Sequence, residues 1–317
     1  MRCFFARIAL AVLASLAFGL PAAQAGDALR LVVPAPAGGN LDHVARVVAE
    51  RLAVFAGEPV VVENRPGGNT FIAIELVARA APDGRVLLLA GTGIAFVDLM
   101  QKMPLAPLDE LAPVIEVAAD RYVLVAPDES GWRTVADLEK AAAHSLPGLN
   151  CAATPGVGVL ACEQVRARFP GKVVVIPFQG VAPGVAALAG GHADFMFAPN
   201  ESAAPLVAAR RLRVLAQSRE PTNAADASAP MLARVWPGFL LEGSSGFLVP
   251  ARTPVERIAQ LNAVLARVLA DPDVAAQLRR ADQSPVGGSP ADYALRLRRR
   301  REGWGEIIQR LGVGTLR

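Results

Sequence analysis

Histidine, cysteine and aromatic side chains are all scarce in this chain. The three histidines, His43, His144 and His192, stand apart from one another. No metal-ligand spacing runs through them, and none is paired in sequence with a carboxylate that would make it a general base. Paired carboxylates, H-E-x-x-H and the G-x-S-x-G nucleophile elbow are missing, and no Gly-Lys-Ser/Thr follows a glycine loop. Gly243-Ser244-Ser245-Gly246 resembles an elbow only loosely, because its spacing is wrong. These absences argue against a hydrolase, a P-loop nucleotidase and a resident metal or cofactor; none of these is expected. Net charge is small as well: +3 over 317 residues, with a sequence pI near 9.0 that reflects only this slight excess. Nucleic acid is therefore not an expected partner.

What remains is an apolar, aliphatic chain. Hydrophobic residues make up 53% and aromatics 5%, so the core is built from Ala, Val and Leu. The longest apolar run is at the start. Arg2 and Arg7 precede Ile8 to Leu20, and Ala23-Gln24-Ala25 is a small-residue cleavage site. The run is shorter than the roughly 20 residues that span a bilayer, so residues 1–25 read as a signal peptide cut before Gly26. Cutting there removes two arginines and no acid, leaving about 290 residues at a net charge of +1, enough for two domains. Cys3 leaves with the leader. Cys151 and Cys162 stay, a pairing number in an oxidising compartment; whether they form a disulfide or remain two buried thiols cannot be read from spacing. No C-x-x-C is present. The basic run Arg296 to Arg301, on a C-terminal helical pattern, reads as a solvated face rather than a partner site.

Strand and helix patterns alternate. Strands are predicted at 29–33, 59–63, 86–90, 121–126, 149–152, 173–177, 193–198, 212–217 and 245–249. Helices fall at 43–55, 71–80, 135–143, 159–169 and 184–189, and a final helical stretch runs from Pro254 to Leu311 with no strand of its own. Continuous apolar strands between helices predict parallel sheets covered on both faces. The pattern makes two α/β blocks, with the final helices returning to cover the first. It implies two crossings, near Arg121–Val125 and near Gly243–Val249. The predicted organisation is residues 26–122 with 246–317 as one lobe and 123–245 as the other, hinged around a cleft that is the natural ligand site.

Loops after strand ends should face that cleft. In Pro34 to Asp42 an apolar strand enters a Pro/Gly loop and then a helix, which aims backbone N–H groups at one point and makes an anion site without a charged side chain. Ala37, Gly38 and Gly39 are its candidates, with Asp42 ordering the loop. Gly91-Thr92-Gly93 begins like a dinucleotide fingerprint, but Phe96 stands where the third glycine belongs. Thr92 is instead a candidate hydroxyl donor. Thr154-Pro155-Gly156-Val157-Gly158 repeats the strand, glycine loop and helix order, so Thr154, Gly156 and Gly158 form a candidate second jaw. Phe178, Gly180 and Asn200 are candidates for an apolar wall and amide contacts.

Longer stretches then identify a likeness. Val33-Pro34-Ala35-Pro36-Ala37-Gly38-Gly39-Asn40-Leu41-Asp42, Val62-Glu63-Asn64-Arg65-Pro66-Gly67-Gly68, Pro82-Asp83-Gly84, Ile176-Pro177-Phe178-Gln179-Gly180 and Leu188-Ala189-Gly190-Gly191-His192-Ala193-Asp194 resemble the Bug/TctC-type extracytoplasmic solute receptors, the binding components of tripartite tricarboxylate transporters. The resemblance implies a two-lobed α/β periplasmic-binding-protein fold (type II, Venus-flytrap) with two crossover strands. It implies a periplasmic monomer that closes on a small carboxylate (an amino, aromatic, di- or tricarboxylic acid) and hands it to permease subunits. In the family, backbone amides of both loops and ordered water hold one carboxylate. The second loop departs from the family pattern: Val159 and Cys162 stand where a serine and a histidine are usual, Pro155 is unusual, Ala198 replaces an aspartate and Phe178 a tyrosine. A more apolar pocket is expected. Two other readings differ in class: a sensor that presents its closed form to a signalling partner, and a hydrolase using Cys162 or a cleft serine, which the missing general base disfavours.

Overall fold

The computed structural model describes residues 28–220 and 229–314. The expected signal peptide and its cleavage site lie outside the described residues. Among the described residues, eleven strands form two sheets. The first has the order β11-β4-β10-β3-β1-β2, built from β1 (Leu29–Val33), β2 (Val60–Asn64), β3 (Val86–Gly91), β4 (Leu111–Asp120), β10 (Gly243–Pro250) and β11 (Gln283–Gly287). The second has the order β7-β6-β8-β5-β9, built from β5 (Tyr122–Pro127), β6 (Leu149–Ala153), β7 (Val173–Pro177), β8 (Phe195–Pro199) and β9 (Leu212–Gln217). A single residue, Arg121, separates β4 in one sheet from β5 in the other.

Nine longer helices among the described residues surround the sheets: α1 (Asn40–Ala56), α2 (Phe71–Ala78), α3 (Val135–His144), α4 (Val157–Arg168), α5 (Val181–Ala189), α6 (Asn200–Ala208), α7 (Val255–Ala270), α8 (Pro272–Arg280) and α9 (Pro290–Leu311). Local chemistry fixes their ends. Thr134 and Asp137 form a capping box at α3, and Ser289 and Asp292 form one at α9. Gly57, at φ 70°, closes α1 in the left-handed conformation that suits glycine. The two-residue period of the strands divides the core. Leu31 and Val33 of β1, with Leu87 and Leu89 of β3, face Val48, Leu52 and Leu265 of α1 and α7. Val32 and Leu88 point the other way, into a cluster with Trp304 and Leu297 of α9 that continues to Phe195 and Phe197 of the second sheet.

Two expectations are corrected. Neither sheet is purely parallel. β1 pairs parallel with β2 and β3, but β10 runs antiparallel to β3 and β4. β5 likewise runs antiparallel to β8 and β9. The crossings reverse strand direction, so each sheet receives one antiparallel strand from the chain's passage between lobes. The final helical stretch also contains a strand: β11 lies between α8 and α9 on the edge beside β4. The sequence hides β4 and β11 for one reason. Each carries a proline, and Pro within a run demotes a strand prediction. Pro113 is tolerated because β4 shifts register there, with Ile115 opposite Phe247 and Pro113 opposite Leu248. Pro285 sits on an edge strand.

Candidate functional site

The loop between β1 and α1 is held from behind. Gly38 turns the chain at φ +82°, where an added Cβ meets no atom but the backbone conformation is strained for other residues. Its N–H donates to Asp42 Oδ2 at 2.9 Å, Arg46 Nε donates to the same oxygen at 2.9 Å, and Asn64 Nδ2 donates to Asp42 Oδ1 at 3.0 Å. Burial works against an ionised Asp42. The hydrogen bonds from Arg46, Gly38 and Asn64 outweigh it and hold the carboxyl below its ordinary range. Gly39, the N-cap of α1, offers no side-chain cap, so the first N–H groups of the helix stay open toward the cleft. The β6–α4 loop has the same design. Its N-cap is Gly156 at φ 77°, again with no side-chain cap. Gly158, in the first turn, lies against Thr154: an added Cβ would come within 2.3 Å of its Oγ1.

Both loops line one cavity of about 260 Å³ between the sheets. Glycines stand at two places where the lobes approach each other around it. A Cβ on Gly93 would stand 3.3 Å from Gly156 Cα, and one on Gly180 would stand 3.6 Å from Pro36 Cδ.

Of the residues singled out from sequence, Ala37, Gly39, Thr92, Thr154, Gly156 and Gly180 line the cavity. Thr92 Oγ1 accepts from the Ser244 N–H at 2.8 Å, which fixes it against β10. Gly38, Asp42 and Gly158 lie behind the lining and shape the two loops. Phe178 packs against the core cluster of Val185, Leu188 and Met196 rather than lining the cavity. Asn200 is not in the wall either. Its Nδ2 donates to Asp282 Oδ2 at 2.9 Å, and Asp282 also pairs with Arg121, whose Nη1 donates to Gln217 Oε1 at 2.6 Å. That buried network joins the lobes beside the crossing. His43, His144 and His192 are all exposed. The structure joins Cys151 and Cys162, with Cα atoms 5.9 Å apart, so Cys162 has no thiol to act as a nucleophile.

Several lining residues were not anticipated. Asn69 and Thr70 enter from the β2–α2 loop with φ of 48° and 76°. Ile74, Phe96, Val97 and Met100 add an apolar wall, with Gln101 at its rim. Asp120 and Tyr122 come from the two sides of the crossing. Burial pushes Asp120 up to about 6, against hydrogen bonds from Asn40 and Gln283 and the charges of Arg219 and Arg300. Burial, with Asp120 and Glu201 nearby, also raises the Tyr122 phenol above its ordinary value. Tyr122 has its place because β10 carries Gly243 opposite: a Cβ there would lie 2.2 Å from Tyr122 Cε2. A glycine far along the chain was the only sequence signal for it.

The wall can hold an anion by backbone N–H groups and an apolar body by aliphatic contact. Among the described residues no cluster of His, Cys, Asp or Glu could hold a metal ion.

The sequence profile of the tripartite tricarboxylate transporter family receptor (TctC) matches residues 44–313. The protein in the tcbD-tcbE intergenic region of Pseudomonas sp. is 31% identical over 284 residues, covering 87% of this chain and 84% of its own. An R. palustris protein solved with adipate superposes with a TM-score of 0.84 at 26% identity, over 92% of this chain and 100% of that one. MatC from Rhodopseudomonas palustris with bound malate gives 0.82 at 25% identity, over 89% and 98%.

Proposed function

The chain belongs to the tripartite tricarboxylate transporter receptor family, and from that premise we propose that it is an extracytoplasmic receptor that closes two lobes on a small organic carboxylate and delivers it to a transporter of the tripartite tricarboxylate type. The single observation that carries the reading is the pair of uncapped strand–glycine loop–helix turns, one from each sheet, that line the same cavity. A carboxylate there gains backbone N–H bonds and the positive ends of α1 and α4, each dipole worth about 0.3–1 kcal/mol. Adipate and malate, named with two structural neighbours, are carboxylates of the size such a site would take. Binding and closing are the whole mechanism. The ligand bridges the loops, the lobes meet at Gly93 and Gly156, and the closed form is what a permease would recognise.

A thermal-shift panel of the purified protein tests this. Carboxylic acids, their uncharged amides, sugars and simple cations are compared. An acid at one hundred times its Kd should add about 2.7 kcal/mol of stability, and its amide should not. A melt shifted by a sugar or a cation, with every acid inert, would rule the proposal out.

A further inference from the structure

We infer that this cavity selects a monocarboxylate with an uncharged, mainly apolar body, and that Asp120 is the specificity residue that turns away a second carboxylate. The inference rests on the reading that the two glycine loops hold one carboxylate, and it concerns what the rest of the ligand must be.

Among the described residues, Asp120 is the only one in the cavity wall with a formally charged side chain, and no lysine, arginine or histidine lines it. A second carboxylate inside the closed cleft would therefore find no cation and would share the space with an acid. Both effects disfavour it: burial penalises an unpaired charge, and a like charge nearby adds to the penalty. Asp120 cannot easily swing away. Gln283 Nε2 donates to its Oδ1 at 3.1 Å, and its backbone lies between β10 and β11, opposite Gly243 and Gln283.

The neutral polar corner offers little to an anion. Asn69 Nδ2 donates to Gln101 Oε1 at 3.2 Å, and Gln101 Nε2 donates to the Gly68 carbonyl at 3.3 Å, so these amides partly satisfy each other. Between that corner and the loops, Ile74, Leu88, Phe96, Val97 and Met100 present aliphatic and aromatic surface. Apolar atoms of the ligand gain from contact there, whereas a charged group would lose its water without replacement. The volume, about 260 Å³, limits the body to a short chain or a single ring. A hydroxyl on the body is acceptable, since it could donate to Asp120.

The test is calorimetry near neutral pH on the whole folded protein. Straight-chain monocarboxylic acids are compared with the dicarboxylic acids of the same carbon number, benzoate with benzene-1,4-dicarboxylate, and each acid with its amide. The expected result is that the best monocarboxylate binds at least about tenfold more tightly than its matched dicarboxylate. Asp120→Asn should narrow that ratio to about threefold or less, by raising dicarboxylate affinity. Met100→Lys, a cation placed in the apolar wall at a half-buried position, should reverse the preference and keeps the test alive if Asp120→Asn does not fold. A dicarboxylate that binds the wild type as tightly as its monocarboxylate overturns the inference, as does a folded Asp120→Asn or Met100→Lys with the wild-type ratio. Equal binding of acids and amides, or no binding by any acid, overturns the carboxylate reading itself and this inference with it. A dicarboxylate preference leaves the carboxylate reading standing.

Discussion

Asp42 shows how one side chain can shape the proposed anion site without lining the cavity. Its two oxygens gather the Gly38 N–H, Asn64 and Arg46, and so fix the turn that leaves the first N–H groups of α1 open. Asp42→Ala leaves the Gly38 N–H without its acceptor and takes one of the two acceptors of Asn64 Nδ2, which keeps the Ala35 carbonyl, a loss of about 1–3 kcal/mol of stability. It should also weaken carboxylate binding by about tenfold, read by calorimetry and urea unfolding. Arg46→Ala removes only the exposed partner, side chain 57% exposed, and should change stability by less than about 1 kcal/mol. Equal effects from the two variants would show that Asp42 acts through the ion pair alone. Asp42 was legible in the sequence because a loop and the acid that orders it lie within one turn of each other. Tyr122 and Asp120 were not. They reach the cavity only because Gly243, more than a hundred residues on, pairs beside them and lacks a side chain. Thr92 was legible as a cavity residue, but its bond to Ser244 again depends on β10.

Helix α9 corrects the reading of the basic run as one solvated face. Arg296 and Arg300 both pair with Glu116 of β4, Arg300 at 2.6 Å, and Arg301 pairs with Asp98 at 2.7 Å. Arg298 and Arg299 are exposed. Helical spacing divides the run: Arg296 and Arg300, four apart, meet the sheet, Leu297 enters the core, and Arg298 and Arg299 meet water. Glu116 is 1% exposed and answers two guanidinium groups, so Glu116→Ala should cost about 3 kcal/mol. Arg298→Ala should fall within about 0.5 kcal/mol of wild type. Denaturant midpoints measured on the two variants decide this, and similar losses would mean that the buried pair contributes no more than a surface charge. Most helices and nine strands were readable to within a few residues, because their apolar periods are long and uninterrupted. The β4 and β11 strands were not, since each carries a proline that reads as loop until the sheet pairing is seen.

In the closing motion proposed for the whole molecule, backbone meets backbone at Gly93 and Gly156. Gly93→Val should hold the lobes apart, enlarge the radius of gyration seen by small-angle scattering with ligand present, and weaken carboxylate binding by the fraction of closed form lost. An unchanged radius with wild-type affinity would show that the contact is incidental. The hinge network carries its own pH signature. Burial, with Asp120 and Asp282 beside it, pushes Glu201 up to about 8, as burial pushes Asp120 up to about 6. Both acids keep their protons in the folded state at pH values where the unfolded chain, titrating near about 4, has lost them. Their contribution is therefore present at low pH and falls as pH rises, from about 4 to about 6 for Asp120 and to about 8 for Glu201. Glu201→Gln should match wild type near the bottom of that window and exceed it in melting temperature near the top; a difference independent of pH would show that Glu201 is charged throughout. The sequence by itself determined the two α/β blocks, the returning C-terminal helices and the two glycine loops, because each is specified by residues close together in the chain. Only the tertiary structure decided which loops share a cavity, that its wall carries one acid and no base, and that Asn200 belongs to the hinge. Those facts follow from antiparallel crossings that bring β4, β5, β10 and β11 together, and register between distant strands leaves no periodic trace in a single sequence.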